Sequence, residues 1–331
     1  MRRARAAVAL ASLGAATACT ASSAAAPAPG QPGGGTLAGT PLTSPARTAS
    51  VAAAAPATTA AAATARAVPP PVPVPRVTVS EVRTADGSVV TVATFRGPVQ
   101  YVLHNGSADP GPAAAGLVGA DPAVTGAERR RLLAAFNGGF KLGAGVGGYD
   151  QEGHVISPLQ AGYASLVIDR SGQARIGIWG HGLPAPGEAV YSVRQNLQLL
   201  VRHGRPTPAA ADWGLWGATL GGGEYVARSA LGQDASGDLM YAASMSTTPY
   251  DLADALARGG AGIAMELDIN PAWVQLDIAR RPGGRLAAAV PGQNRPADQY
   301  LVGWTRDFIK VLAPLAASPS TVPPVSLRLR P

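Results

Sequence analysis

Hydrophobic and polar residues alternate along much of the chain after residue 75, which is the pattern of half-buried β-strands. Segments 77–82, 88–95 and 98–104 alternate in this way and predict three strands. Further strand pairs are predicted around three turns: Ser171-Gly172, His203-Gly204 and the segment Gln233 to Gly237. Later segments 273–278 and 285–290 also predict strands. The expected fold class is α+β, a strand-rich mixed sheet with few helices in a single globular domain.

Three short helices are predicted among these strands. The first follows Thr125 in a capping-box pattern and runs to Ala135. The second begins at Thr248-Pro249, with an N-cap followed by proline at the first helical position, and glycines 259–260 end it. Residues 305–312 predict a closing helix.

The most informative alternation runs from Ile263 to Asn270, where Glu266, Asp268 and Asn270 occupy every second position before Pro271. A strand sends successive side chains to opposite faces, so the three polar groups are expected on one face. Positions two apart are roughly 6–7 Å apart on a strand, a spacing that brings two carboxylates to bear on one bond. The alternative is a structural ion pair with Arg228 or Arg194, since the flanking residues predict burial.

Two other segments carry groups suited to binding. Residues 135–140 predict a strand that breaks at Gly138-Gly139 after Asn137, which lets backbone N–H groups approach an anion or a sugar hydroxyl. The alternative there is a tight turn. Arg228 lies on a strand leading into a turn, where an arginine can hold a phosphate bidentately, and the alternative is a solvated strand arginine.

The first residues predict export. Three arginines precede a small apolar run over residues 6–18, and residues 1–26 are therefore expected to be an export signal. The single cysteine, Cys19, is either a lipidation site or a thiol that is lost with the signal or stays free. Residues 27–75 are rich in Ala, Pro and Thr and predict a disordered linker, with the globular domain at 76–331. We expect a bacterial protein that is extracellular or held at the cell envelope, secreted or lipid-anchored.

The net charge and the sequence motifs argue against several classes of function. The formal net charge of +7 comes mostly from the N-terminal arginines, because residues from Arg76 onward comprise 22 basic and 20 acidic side chains. No basic stripe with interleaved aromatics is present, which argues against nucleic-acid binding. The glycines at 143–148 match a dinucleotide motif but lack the helix that must follow it. The four histidines are dispersed, so no zinc site and no cofactor is predicted, and Ca²⁺ bound by loop acids stays open.

Taken together, the motifs resemble the phosphodiester glycosidase family, whose domain is similar to that of the uncovering enzyme N-acetylglucosamine-1-phosphodiester alpha-N-acetylglucosaminidase. The resemblance covers about 135–277 and preserves the order of four pieces. They are an Asn-Gly-Gly-Phe segment at Asn137, an Arg-x-Ala-x-Gly hairpin at Arg228, the helix at 250–258, and Leu267-Asp268. The family usually continues Asp-Gly-Gly-Gly-Ser, whereas this chain has Asp268-Ile-Asn-Pro-Ala.

The resemblance implies an exported hydrolase that cleaves the glycosidic bond of sugar-1-phosphodiesters on cell-envelope glycans. Asp268 is then the expected nucleophile or base and Glu266 the expected general acid. The expected substrate-binding residues are Asn137, Gly138, Gly139, Arg228, Arg194 and Asn270. The expected partner is a sugar phosphate or envelope glycan, with membrane attachment only through the signal or a lipid.

Two other functions stay open at this point. One is a non-catalytic domain that binds envelope polysaccharide on the same fold. The other is an enzyme that modifies peptidoglycan or teichoic acid by another mechanism.

Overall fold

The computed structural model describes residues 75–114 and 123–315. The predicted export signal, Cys19 and the predicted linker up to residue 74 lie outside the described residues. In the part of the chain that is described, no helix is both long and apolar enough to cross a membrane.

Strands dominate the described residues, with only three short α-helices. In chain order the strands are β1 Arg76–Arg83, β2 Val89–Arg96, β3 Gln100–His104, β4 Leu132–Asn137, β5 Tyr149–Gln151, β6 His154–Ser157, β7 Ala164–Ile168, β8 Ala174–Ile178, β9 Ser192–Gln195, β10 Leu199–Arg202, β11 Arg205–Pro206, β12 Val226–Asp234, β13 Leu239–Thr247, β14 Ala261–Glu266, β15 Leu276–Ala279, β16 Leu286–Ala288 and β17 Phe308–Leu312. The helices are α1 Gly126–Arg131, α2 Pro249–Arg258 and α3 Gln299–Val302. The predicted strand-rich α+β domain with few helices is confirmed.

The strands form three sheets. Sheet A has seven strands in the order β1-β2-β13-β12-β14-β10-β11, and sheet B has five in the order β16-β15-β4-β17-β3. Sheet C has five strands in the order β6-β5-β9-β7-β8. All the ladders within these sheets are antiparallel, so the strands expected in one mixed sheet are divided among three antiparallel ones.

The central strands of sheet A are buried on both faces, whereas the edge strand β1 is mostly exposed. Helix α2 covers one face, where Leu252 and Leu256 pack with Ala230 of β12 and Ala264 of β14. Its N-terminus is fixed as predicted, because the Thr248 hydroxyl accepts a hydrogen bond from the Asp251 N–H at 3.0 Å. Alternate residues of the same strands face the other way into the main core shared with sheets B and C.

Aromatic side chains join sheet A to sheet B. Phe136 of β4 stacks on Phe95 of β2, with ring centroids 5.6 Å apart, and meets Tyr241 of β13 at 5.0 Å. Such pairs add stabilisation beyond the apolar area that they bury. The contact fixes the end of β4, and with it Asn137 and the two glycines that follow, against sheet A.

One predicted helix is confirmed only up to Arg131, and another is wrong. Helix α1 ends at Arg131, its Thr125 makes no side-chain cap, and Leu132–Asn137 form β4. Residues 305–312 form no helix either, because Phe308–Leu312 is the strand β17 between β4 and β3. Both segments carry apolar residues on both faces, with Lys310 of β17 the one charged exception, because sheet B is covered on both sides. Such short, mostly apolar runs do not distinguish a buried strand from a helix.

Candidate active site

A narrow cleft of about 260 Å³ lies where the ends of sheets A and B meet. The residues in its wall include Asn137, Gly138, Gly139, Asp268, Trp273, Gln275, Arg306 and Asp307. Four of these eight were predicted from the sequence as site residues. A larger cavity of about 490 Å³, lined by residues such as Gln100 and Tyr191, contains none of the predicted residues.

Asp268 lies just beyond β14 and is ion-paired with an arginine that the sequence did not indicate. Its Oδ2 accepts a hydrogen bond from Arg306 Nη1 at 2.5 Å, and its Oδ1 accepts one from the Asn270 N–H at 2.9 Å. Arg306 also lies 3.7 Å from Asp109 Oδ2 and donates to the Gly139 carbonyl at 3.3 Å. Burial raises the pKa of Asp268 to about 6, with Arg306 acting in the opposite direction.

Asn137 uses its side chain entirely within the protein. Its Oδ1 accepts from the Tyr241 hydroxyl at 2.7 Å and from the Gln275 N–H at 3.2 Å. Its Nδ2 donates to Ser229 Oγ and to its neighbour's carbonyl, both at 2.9 Å. Asn137 therefore connects sheet A to the end of sheet B and holds the glycine turn in place, although it was predicted to contact substrate.

The two glycines differ in whether their backbone N–H can bind a ligand. The Gly138 N–H donates to the Asp307 carbonyl at 2.8 Å, and a Cβ at this position would lie 1.9 Å from Asp307 Oδ2. A side chain is therefore excluded at Gly138. The Gly139 N–H has no acceptor among the described residues, so it is the backbone donor that stays available to a ligand oxygen.

Arg194 is fully engaged behind the glycine turn. Its Nε donates to Asp307 Oδ2 at 2.8 Å, and its remaining nitrogens donate to the carbonyls of Phe140 and Gln195. Both partners of this ion pair are almost completely buried. Arg194 was predicted to hold a phosphate, but in this structure it holds Asp307 against the turn.

Arg228 and Glu266 form a second buried ion pair on the other face of sheet A. Arg228 Nη1 donates to Glu266 Oε1 at 2.9 Å, and both side chains are 0% exposed. They share the face of Ala230 and Ala264, which packs against α2, and neither lines the cleft. Burial raises the pKa of Glu266, and Arg228 opposes that shift. The structure thus has the ion pair that was the alternative interpretation of these residues.

The predicted common face of Glu266, Asp268 and Asn270 is not formed. Strand β14 ends at Glu266, and the chain then leaves the regular pleat, so that Asp268 reaches the cleft while Glu266 stays on the α2 face. Asn270 does not line the cleft. Its Oδ1 accepts from the Ala272 N–H at 2.9 Å, so it shapes the loop that follows Asp268.

Sequence reasoning missed Arg306, Asp307 and Asp109. The incorrect helix over 305–312 placed the first two on a helix surface, whereas they precede a buried strand. The polar Thr305-Arg306-Asp307 triplet directly before the apolar run 308–312 was the available signal. Polar residues that end a buried strand often line a site, as Asn137 does at the end of β4.

Within the described ranges, no group of three or more His, Cys, Asp or Glu side chains is placed to hold a metal ion. The carboxylates of the cleft are instead compensated by arginines.

Comparisons with known proteins show distant similarity in fold. No family model matches the chain, and no curated protein matches it. The chain is similar to the zebrafish N-acetylglucosamine-1-phosphodiester alpha-N-acetylglucosaminidase catalytic domain auto-inhibited by its pro-peptide, at 14% identity and a TM-score of 0.44, covering 73% of this chain and 83% of that one. It is also similar to a hypothetical protein from Synechocystis, at 14% identity and a TM-score of 0.46, covering 72% of this chain and 62% of that one.

Proposed function

We propose that the protein is an exported hydrolase that cleaves the glycosidic bond of sugar-1-phosphodiesters in cell-envelope glycans. The observation that carries the proposal is the meeting of Asp268, Arg306 and the free Gly139 N–H in one cleft. It combines a carboxylate, a cation and a backbone donor, which are the groups that this reaction needs.

The chemistry of the leaving group explains why one carboxylate suffices. Water adds to the anomeric carbon and the bond from that carbon to the phosphate oxygen breaks, which gives a free sugar and a phosphomonoester. The departing phosphate is already an anion at neutral pH, so it needs a cation more than it needs a proton. Arg306 supplies that cation in the cleft, and its Nε has no partner among the described residues.

Asp268 is the group that acts on the anomeric carbon or on water. A pKa of about 6 leaves its carboxylate ionised at neutral pH and basic enough to accept a proton. In this scheme the Gly139 N–H binds a sugar or phosphate oxygen. Arg194 and Asn137 position the cleft wall through their buried hydrogen bonds.

The ion pair between Asp268 and Arg306 also favours a second function. A carboxylate already paired at 2.5 Å and a cleft of only about 260 Å³ suit a domain that binds the polymer without cleaving it. The catalytic proposal requires a bound phosphate to draw Arg306 away from Asp268, whereas the binding function does not.

Turnover of a panel of alkyl hexose-1-phosphodiesters, followed by release of reducing sugar, separates the two functions. We expect Asp268→Asn to lower kcat at least about 100-fold. Glu266→Gln is the control, assayed well below its melting temperature, and we expect it to keep kcat within about tenfold because Glu266 faces α2. Wild-type turnover in Asp268→Asn would overturn the proposal. An equal loss of kcat in both variants would indicate that Glu266 takes part in catalysis. If the wild-type protein binds the polymer but does not cleave any substrate, the binding function is favoured.

A further inference from the structure

Two tryptophans lie side by side at the rim of the cleft. Trp273 lines the cleft itself, and its ring centroid is 5.4 Å from that of Trp304. Trp304 is 54% exposed, although it directly precedes the buried residues Thr305 and Arg306. Although Trp273 packs against it, about half of the Trp304 side chain stays open to solvent beside a polar cleft and can contact a ligand.

Arg295 lies over both rings. Its guanidinium carbon is 4.5 Å from the centroid of Trp273 and 4.8 Å from that of Trp304. Its Nε donates to the Ala272 carbonyl at 2.9 Å, and the neighbouring Asn294 donates to the Pro271 carbonyl at 3.0 Å. These bonds tie the Arg295 loop to the loop after Asp268, so the arginine is held in place before any ligand arrives.

Arg295 has no carboxylate partner among the described residues, in contrast to the three arginines in or behind the cleft. The indole faces and the Ala272 carbonyl hold it, and its terminal nitrogens stay available for an anion. A phosphate accepts two parallel hydrogen bonds from such a group.

The size of the cleft indicates where such a ligand must extend. Only about 10 Å³ of this space is open to the centre of a water-sized sphere, far below the roughly 300–1,000 Å³ that small-molecule sites usually offer. Even the reacting end of a sugar phosphodiester therefore enters only when Arg306 moves away from Asp268, and the rest of the ligand must lie on the rim. At the rim, an indole face suits the apolar C–H face of a pyranose ring and a guanidinium suits the next phosphate.

We infer that Trp304, Trp273 and Arg295 form a second subsite that binds the adjoining sugar phosphate unit of a hexose-1-phosphate polymer. This inference rests on the proposed function for the orientation of the ligand, with its reacting end in the cleft. The loop Ile269–Trp273, which replaces the glycines of the similar family, provides the platform on which that unit lies.

The test compares a poly(hexose 1-phosphate) chain with a methyl hexose-1-phosphodiester as substrates of the full-length protein. We expect Trp304→Ala to lower the ratio of polymer to methyl-ester kcat/KM about tenfold. Arg295→Ala should lower the same ratio and also weaken the salt dependence of polymer binding. The matched control is Tyr250→Ala, which removes another exposed aromatic ring (48% exposed) on α2 and should leave the ratio at the wild-type value.

Direct binding of the same polymer, measured by calorimetry, keeps the two proposals distinct. If the wild-type protein turns over neither substrate but binds the polymer more tightly than Trp304→Ala does, the subsite stands and the hydrolase function fails. If it turns over both substrates with the same ratio in Trp304→Ala and Tyr250→Ala, the subsite is overturned and the hydrolase function stands. Equal affinity for the polymer and for neutral dextran would also overturn the subsite, because Arg295 would then contribute nothing.

Discussion

At the scale of single residues, the molecule is defined by charges that are buried in pairs. Arg194 is paired with Asp307, Arg228 with Glu266, and Arg306 with Asp268, and each pair is largely or completely removed from solvent. A buried pair adds little net stability over a well-packed apolar pair, but losing one partner leaves an uncompensated charge in the interior. The pairs therefore fix the positions of chain segments around the cleft.

The pair on the α2 face gives a test of this principle. Glu266→Gln leaves the Arg228 guanidinium buried without a counter-ion, so we expect the free energy of unfolding to fall by about 3–5 kcal/mol in urea denaturation. The control is Asp254→Asn, which breaks the exposed pair with Arg258 and should cost under about 1 kcal/mol. Equal losses in the two variants would mean that the buried pair is solvated.

At the scale of elements, strands bounded by recognisable turns were predictable even where both faces are buried, as in β2, β12 and β13, whereas β17 was not. β1, β2, β12 and β13, together with α2, follow from alternation, turn glycines and helix capping. The second half of β4 was predicted as a strand because the glycines after Asn137 mark its end, while its first half was assigned to a helix. β17 lies inside sheet B with apolar residues on both faces and no turn glycine beside it, so its sequence does not distinguish a strand from a helix. The loss of β17 from the prediction removed Arg306 and Asp307 from the candidate site, while Asn137, Gly138, Gly139 and Asp268 were found because they mark ends of strands.

The turn after β4 offers a second prediction. A Cβ on Gly138 would lie 1.9 Å from Asp307 Oδ2, so Gly138→Ala must displace Asp307 from Arg194. We expect the free energy of unfolding to fall by about 1–3 kcal/mol or more, with a loss of turnover.

Gly143→Ala is the matched control for that substitution. A Cβ there meets only the end of Lys141 at 4.0 Å, so its melting temperature should stay near that of the wild type. Equal behaviour of the two alanine variants would show that the turn adapts more freely than its geometry implies.

At the scale of the whole molecule, the site exists only because two sheets meet. Its groups come from positions as far apart in the chain as Asp109 and Asp307, and each is placed by a different strand or loop. The sequence alone could reveal which short motifs carry polar groups, but it could not reveal which faces of the sheets those groups share. That is why Asp268 and Glu266, two residues apart, belong to different environments.

The pH dependence of stability reports on the whole fold. Burial raises the pKa of Asp277 from 3.8 to about 7, while amide hydrogen bonds from Gln275 and Gln293 oppose the shift. Between these two values the folded state holds a proton that the unfolded state has lost, so the free energy of unfolding falls as pH rises from about 4 to about 7. The slope contributed by this group is at most about 1.4 kcal/mol per pH unit.

Asp277→Asn removes that proton uptake. Urea denaturation across pH 4–8 should show that the free energy of unfolding declines less steeply with pH in the variant than in the wild type. The raised pKa of Asp268 acts in the same direction in both proteins, so the difference between the two curves gives the contribution of Asp277. Parallel curves would show that Asp277 ionises alike in the folded and unfolded chains.

The pairing of Arg306 with Asp268 has one more consequence. The Asp268 carboxylate competes with any anion that enters the cleft, because it already binds the Arg306 guanidinium that the anion would bind. We expect free inorganic phosphate not to displace this carboxylate, because the fold holds it against Arg306. A ligand that binds elsewhere at the same time can do so, since its other contacts raise its effective concentration at Arg306. Under the proposed function, the resting state of the cleft would thus favour long ligands over short ones.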